Sequence, residues 1–327
     1  MCCGAGLRKE FSRHTQLMSR ESAIIQLMLA HGIGRKTLST LLNRLTAENY
    51  PPQEFVAAPA DELTRNYNLK AETVKSLKES KDMACELADQ LALHEVTMLL
   101  RDSKAYPTRL ARLPGNIAPP VVFTKGDTSI LERKGVGFCG ARSASRTICD
   151  MVQKSAAVLG ERGINVIGGY AFGVDLAAHL GALTASGVTT FILATGILHF
   201  SLKTVLRDSA THSEFLVISE FSPRLGWSVA NAMQRNWTIC GLADAIVIAD
   251  PGTSGGTFEA GKVALTLGRH LFITHADDSL RDDSGYDYFV SRGAKPIRFD
   301  SDRTPDLTEL FKSVEKDQTS LGQISLM

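Results

Sequence analysis

Several protein classes are excluded by what this chain lacks. Only 6 of its 327 residues are cysteine, at positions 2, 3, 85, 139, 149 and 240. They form no CxxC pair and no metal-ligand spacing, so neither a disulfide framework nor a metal site is expected. They fit reduced thiols, with Cys139 and Cys149 in the core. No apolar run approaches the ~20 residues that span a bilayer, so no membrane association is expected. The opening MCCGAGLRKEFSRH has no apolar signal core and no Gly at position 2, which argues against secretion and myristoylation and for a cytoplasmic protein. Internal repeats and low-complexity tracts are absent. Neither sign of charge dominates, since 36 Lys and Arg against 35 Asp and Glu leave +1. Any nucleic-acid contact must therefore come from a local basic stripe rather than from the total charge.

What is present reads as a soluble globular protein with room for one large and one small domain, at 44% hydrophobic and 22% charged residues. Residues 1–19 are polar and aperiodic, a flexible tail. From 20 to 100 the pattern is helical, with one apolar stripe at Ile24, Ile25, Leu27, Met28 and Leu29 and another at Leu38, Leu41, Leu42 and Leu45. Between them lies His31-Gly32-Ile33-Gly34-Arg35-Lys36. This is the layout of a helix-hairpin-helix, whose glycines let backbone amides approach a DNA phosphate, although so short a motif fits a simple αα-turn or a protein contact better. Residues 101–133 form a connector in which 121–126 reads as a strand at the sheet edge. An α/β domain follows over 134–300, and 301–327 is a polar C-terminal tail.

The α/β domain carries three strand-to-helix turns rich in Gly and Ser. The strand 136–139 runs into Gly140-Ala141-Arg142-Ser143-Ala144-Ser145. A second strand, 164–167, runs into Gly168-Gly169-Tyr170-Ala171-Phe172-Gly173-Val174-Asp175. A third, 245–249, runs into Pro251-Gly252-Thr253-Ser254-Gly255-Gly256-Thr257. Such turns converge at the carboxyl ends of a parallel sheet, where backbone amides and helix N-termini meet an anion. Phosphate is the expected target. Gly135, Gly137 and Gly140 match a dinucleotide fingerprint formally, but they straddle the strand instead of following it, and the match is read as coincidence.

Individual side chains admit two roles each. Arg142 is either a phosphate contact, with the amides of residues 142–144 at a helix N-terminus, or a surface residue. Asp175 and His179, one helical turn apart, fit a cap and a helix-face residue better than a catalytic pair. Glu259 is expected in the first turn of a helix as a dipole partner, with acid/base chemistry as the alternative. Arg235, Asn236 and Trp237, with Trp227 upstream, suit single-stranded nucleic acid, although Trp237 fits a packed core or a dimer face better.

Taken in order, these pieces resemble the DNA-processing A (DprA/Smf) family over about residues 20–300. The series comprises Gly32-Ile33-Gly34, Tyr106-Pro107 with Leu110, Pro119-Pro120, Lys125-Gly126, Gly140-Ala141-Arg142 and Gly169 to Asp175 with His179. It continues through Thr195-Gly196, Ser219-Glu220, Arg235-Asn236 and Ser254-Gly255. The resemblance implies an extended Rossmann-like parallel sheet domain with a small all-helical N-terminal domain. It implies single-stranded DNA binding without chemistry, phosphates gripped by the residues matching Arg142 and Lys203, a homodimer, and delivery of DNA to a RecA-type recombinase. The phosphate-binding set expected is Gly140, Arg142, Ser143, Gly169, Gly173, Lys203, Arg235, Asn236, Ser254, Gly255, Gly256 and Thr257, with no cofactor and no metal. The chain departs from the family where Trp237 replaces an arginine, Ser201-Leu202 replace Tyr-Pro, and Ala249 replaces an acidic residue. Its Gly255-Gly256-Thr257-Phe258-Glu259 run also resembles one loop of LOG-type phosphoribohydrolases. That leaves a nucleotide or nucleotide-sugar hydrolase using Glu259, or a nucleotide sensor, as the alternatives.

Overall fold

The computed structural model describes residues 18–211, 213–276 and 284–315. Most of the N-terminal tail and the end of the C-terminal tail expected from the sequence lie outside the described residues. The chain divides into two compact units. One takes the residues up to Gly34 and Thr40–Ala88, and the other takes Arg35–Ser39 and everything from Asp89 on.

The first unit is helical. Its elements are α1 (Arg20–Leu29), most of α2 (Arg35–Ala47), α3 (Pro52–Ala57), α4 (Ala60–Tyr67), α5 (Ala71–Glu79) and the start of α6 (Lys81–Leu93). The Ser19 hydroxyl accepts from the Ser22 amide at 3.0 Å and caps α1. Ile24, Ile25, Leu27, Leu41 and Leu45 of the apolar stripes read from the sequence are buried, together with Phe55, Leu63 and Leu77. The turn after α1 packs on α5, because the His31 amide donates to Ser76 Oγ at 2.9 Å and a Cβ at Gly32 would lie 2.5 Å from Thr73 Oγ1. On this flank the hairpin backbone is covered by protein.

The second unit is a nine-stranded sheet covered by helices. Its elements are β1 (Thr97–Leu100), α7 (Thr108–Ala111), β2 (Val121–Lys125), β3 (Gly135–Gly140), α8 (Arg146–Glu161), β4 (Asn165–Gly168), α9 (Val174–Thr184), β5 (Thr189–Ile192), α10 (Thr204–Ala210) and β6 (Phe215–Ser219). There follow α11 (Val229–Leu242), β7 (Ala245–Ala249), α12 (Gly255–Thr266), β8 (His270–Thr274), α13 (Ser284–Val290) and β9 (Lys295–Pro296). A hairpin of β10 (Arg298–Phe299) and β11 (Pro305–Asp306) precedes α14 (Thr308–Glu315). The strand order is β1-β2-β6-β5-β4-β3-β7-β8-β9. From β6 to β9 all pairings are parallel, and β1 and β2 add antiparallel.

Central strands of a parallel sheet are buried on both faces, so they read as unbroken apolar runs. All five residues of β7 are buried; Ile246 and Ile248 enter the core on one face, and Ala245, Val247 and Ala249 the core on the other. Gly135 and Gly137 lie inside β3, where a Cβ would meet Ile167 Cδ1 at 2.7 Å and Ile246 Cδ1 at 2.5 Å. They are packing glycines inside the strand, upstream of the turn.

Two edges differ from the sequence reading. The four residues of β1, read as the end of the helical region, form the outermost strand, so β2 is second from the edge. The described part of the C-terminal tail is not simply polar, since Leu307, Leu310 and Val314 sit in the core beneath α8.

Candidate functional site

The chain order builds β3 to β6 outward on one side, then returns to place β7 beside β3 and grows the other way. Loops leaving the carboxyl ends of β3 and β7 must therefore diverge, and a crevice opens between them. A cavity of about 470 Å³ occupies it, and one of about 370 Å³ adjoins it over the loops that leave β4 and β5. Arg142, Ala171, Trp227 and Arg235 border both.

The larger cavity lies against the start of α12. Ser254, Gly255, Gly256 and Thr257 line it together with Gly140 and Asn236. Ser254 is the N-cap residue of α12 but its side chain makes no capping bond. The helix thus presents its first amides and its positive dipole end to the cavity. Asn236 Nδ2 donates to the Gly256 carbonyl at 3.3 Å and ties α11 to this turn. Asp175 and Asp250 also border this lobe, so its charge is mixed.

The smaller cavity gathers Lys203, Arg142 and Arg235, and among the described residues lining it there is no carboxylate. Tyr170 fixes Lys203. Its hydroxyl donates to the Ser201 carbonyl at 3.0 Å and accepts from the Lys203 amide at 2.7 Å, while Lys203 Nζ donates to the Tyr170 carbonyl. The ammonium lies 3.8 Å from the centre of the Tyr170 ring. Burial lowers the Lys203 pKa from its ordinary 10.5, against the pull of the Asp175 carboxylate. On the opposite side the Arg142 guanidinium stacks over Trp227 at 4.5 Å.

Beneath the turn after β4 lies a buried polar cluster. The Ser228 hydroxyl starts α11 by accepting the Asn231 amide at 3.0 Å, and α11 carries Arg235 inward. The Arg235 side chain is 9% exposed, with Nη1 3.7 Å from the Asp175 carboxylate and no partner at Nε. It lies across Gly169, where a Cβ would fall 2.0 Å from Nη1, so no other residue fits there. Gly173 has φ +76° and its missing Cβ would collide with the Ala141 carbonyl at 2.3 Å. Burial raises the Asp175 pKa, opposed first by Arg235 and then by the Ala171 amide that donates to it at 3.3 Å. His179 is fully buried and burial drops its pKa to about 3. The Gly169 carbonyl, 2.6 Å away, can only accept, so Nε2 carries the proton and Nδ1 faces the Thr189 hydroxyl at 2.7 Å. These two residues are scaffold. Cys139 on the cavity wall is no nucleophile, since burial pushes its thiol up to about 12.

The structure brings Gly140, Arg142, Lys203, Arg235, Asn236 and Ser254 to Thr257 to one crevice. Gly169 and Gly173 stand behind its wall as packing positions, and Ser143 is exposed outside both cavities. Two local readings are corrected. Helix α8 starts at Arg146 under a Ser145 cap, so the amides of 142–144 belong to the preceding loop and not to its N-terminus. Helix α12 already starts at Gly255, which puts Glu259 beyond its first turn; it borders neither cavity and pairs with Lys262 at 3.0 Å. Trp237 packs against the core, as the packed-core reading of its position expects. Tyr170 and Phe172 were not singled out from the sequence, although an aromatic pair inside a Gly-rich turn was the available signal. Glu220, in the quoted Ser219-Glu220 pair, is buried and holds Arg35 of the same unit at 2.6 Å and the Thr238 hydroxyl at 2.8 Å.

Comparison with known proteins gives a consistent set of relatives. DNA processing protein DprA of Streptococcus pneumoniae is 29% identical over 183 residues, covering 55% of this chain and 64% of its own. The chain therefore spans less than two thirds of that relative's length. The X-ray structure of DNA processing protein A from the same species matches with TM-score 0.68 at 21% identity, over 85% of this chain and 94% of that one. DNA processing protein A from Helicobacter pylori, whose structure describes a single-stranded DNA binding mode, matches with TM-score 0.54 at 20% identity, over 68% and 97%. At these identities the two structures establish the fold. Residues 97–308, more than half of the chain, match the family model of DNA recombination-mediator protein A, and the chain belongs to that family.

Proposed function

We propose that the protein binds single-stranded DNA without sequence preference through the crevice between β3 and β7 and the cavity that adjoins it over β4 and β5, and performs no bond-making chemistry there. The observation that carries this reading is the convergence of Arg142, Lys203 and Arg235 on one cavity, with no carboxylate among its described lining residues. Arg142 and Lys203 meet phosphates directly, and the half-free Arg235 adds positive potential from the floor. The open amides of α12 hold a further phosphate, while Gly169 and Gly173 let the walls close-pack. A flexible strand can thread such a crevice and present each phosphate in turn, as a stiff duplex cannot. Family membership and the single-stranded DNA binding mode described for the Helicobacter pylori protein support the same ligand. The resemblance extends the proposal to a cytoplasmic homodimer that passes its DNA to a RecA-type recombinase. No helix among the described residues is long and apolar enough to cross a membrane.

Equilibrium binding of a labelled oligonucleotide, single-stranded and then annealed, over a salt series tests the reading. The single strand is expected to bind more tightly, with affinity falling steeply as salt rises, because each neutralised phosphate releases counterion. Equal affinity for both forms, or indifference to salt, overturns it.

A further inference from the structure

Lys203 places an amine inside a cavity that gathers anions. Its Nζ is held from one side, by the Tyr170 carbonyl and by the Tyr170 and Phe172 rings, whose centres are 3.8 Å and 4.8 Å away. Arg142 and Arg235 line the same cavity, with no carboxylate among its described lining residues. Burial raises the Asp175 carboxyl, and Arg235, Lys203 and Arg142 each pull against it, which puts them all within electrostatic reach of one group in the neighbouring lobe. Burial also holds the Lys203 pKa below its ordinary 10.5, so near neutrality more of its amine is unprotonated than on an exposed lysine. Lys78 is the useful contrast. Burial lowers its pKa too, but its ammonium is spent on the Val56 and Ala58 carbonyls, and Arg65, which lines its groove, is paired with Asp61.

We propose that Lys203 is an acylation site for small acyl phosphates, and that acylation there releases the bound strand. This rests on the single-strand reading above and adds a means of regulating it. The cavity matches both halves of such a reagent. Its phosphate, the group a strand also carries, meets Arg142 and Arg235, while Ala171, Leu193 and Ala194 offer an apolar wall to the acyl group. At about 370 Å³ the cavity has room for the whole molecule. The step balances without a further reactant. Lys203 loses a proton to solvent, and the freed lone pair attacks the acyl carbon. An N–C bond forms, the C–O bond to phosphate breaks, phosphate departs with the bonding pair, and the nitrogen sheds a second proton to water. The two guanidiniums face the charge that gathers on the leaving phosphate. An uncharged ester carries no group for them and gains nothing from the site. The product is a neutral amide, so the cavity loses the Lys203 charge, and the acyl group fills space that a strand phosphate would take.

The test treats the parent with acetyl phosphate or with the uncharged ester p-nitrophenyl acetate and follows each lysine by peptide mass mapping. The lead of Lys203 over Lys78 and the exposed Lys70 is expected to be larger with acetyl phosphate than with the ester, by roughly tenfold or more for one charge-assisted contact. Inorganic phosphate and a bound oligonucleotide should each protect Lys203, whereas chloride at the same ionic strength should not. Arg142→Ala, with a parental melting curve, should lose the extra lead seen with acetyl phosphate. The acetylated parent should bind single strand roughly tenfold or more weakly, as Lys203→Gln does, while Lys203→Arg keeps its affinity through the same treatment. Equal leads with the two reagents, or no protection by phosphate, overturn the acyl-phosphate site and leave strand binding standing. Selective acetylation that leaves affinity untouched, or an equal loss in Lys203→Arg, overturns the release of the strand. A parent that binds no strand before treatment removes the single-strand reading itself, and the regulation with it, whatever the acetylation pattern.

Discussion

The Arg235 guanidinium lies directly over Gly169, at a distance where a single added methyl group would overlap it. A Cβ on Gly169 would be 2.0 Å from Arg235 Nη1 and 2.2 Å from the Asp175 carboxylate. The two charges and the turn are thus one packed unit, and the cation reaches the crevice floor only because the turn has no side chain.

Gly169→Ala is therefore expected to displace Arg235 and separate it from Asp175. Overpacking of this kind costs about 1–3 kcal/mol, and the weakened pairing of two buried charges adds to it. A melting curve should show the lower stability. Single-strand affinity should fall even at temperatures where the variant is fully folded, because the floor charge has moved. A variant with parental melting and binding would show that the turn can yield without moving Arg235.

His179 predicts an acid response. Its folded pKa of about 3 lies below the unfolded value of 6.5, so the unfolded chain binds the proton more readily. Its stabilisation is complete above 6.5 and is lost as pH falls through that window, with a slope approaching ~1.4 kcal/mol per pH unit. Asp175 and Glu220 shift upward through burial and act in the opposite sense, favouring the fold as pH falls. The His179 share is isolated as the difference in the pH dependence of Tm between parent and His179→Gln. Glutamine can still donate to the Gly169 carbonyl but does not titrate, and parallel curves for the two proteins would contradict the assignment.

Lys203 predicts an alkaline response of binding. Burial holds its pKa below 10.5, so its charge is lost earlier on raising pH than that of an exposed lysine. Single-strand affinity should weaken over that range, and Lys203→Arg, which stays charged, should remove the weakening. At neutral pH Lys203→Ala should reduce affinity roughly tenfold or more, from ~1.5–3 kcal/mol for a charge-assisted contact. It should also lower the salt slope by about 0.7. An unchanged slope would mean that Lys203 touches no phosphate.

Part of this site was legible because the loops after β3, β4 and β7 are built on Gly and Ser, whereas Lys203, ahead of α10, lies in no such turn and was placed only by the family resemblance. Those turns announced the crevice, and the apolar run 245–249 gave β7 to the residue. Other boundaries were hidden where propensity and structure disagree. Gly255 and Gly256 are poor helix formers, yet α12 begins with them because the sheet aims the chain there, and Glu259 is displaced beyond the first turn. The strand β1 is four residues long and follows a helix rich in leucine, so no local period separates it from that helix. Trp237 and Trp227 are ten positions apart and chemically alike. One packs on the core and the other borders the crevice, a difference set by the path of the chain around the start of α11 rather than by residue type.

Glu259 decides between binding and catalysis. Its carboxylate borders neither cavity and pairs with Lys262 at 3.0 Å, with the two side chains 45% and 46% exposed. An exposed pair of this kind contributes ~0–1 kcal/mol, so Glu259→Gln should change stability by no more than that and leave single-strand affinity intact. A general acid or base would behave otherwise, since its loss slows turnover by ~10²–10⁴. Incubating the parent with nucleoside monophosphates and nucleotide sugars should release neither base nor ribose phosphate, because no carboxylate lines the Lys203 cavity among the described residues, while in the neighbouring lobe Asp175 is paired with Arg235 and Asp250 lies 3.4 Å from His275. Turnover by the parent that disappears in Glu259→Gln would place the chemistry on α12 and overturn the assignment of this crevice to strand binding alone.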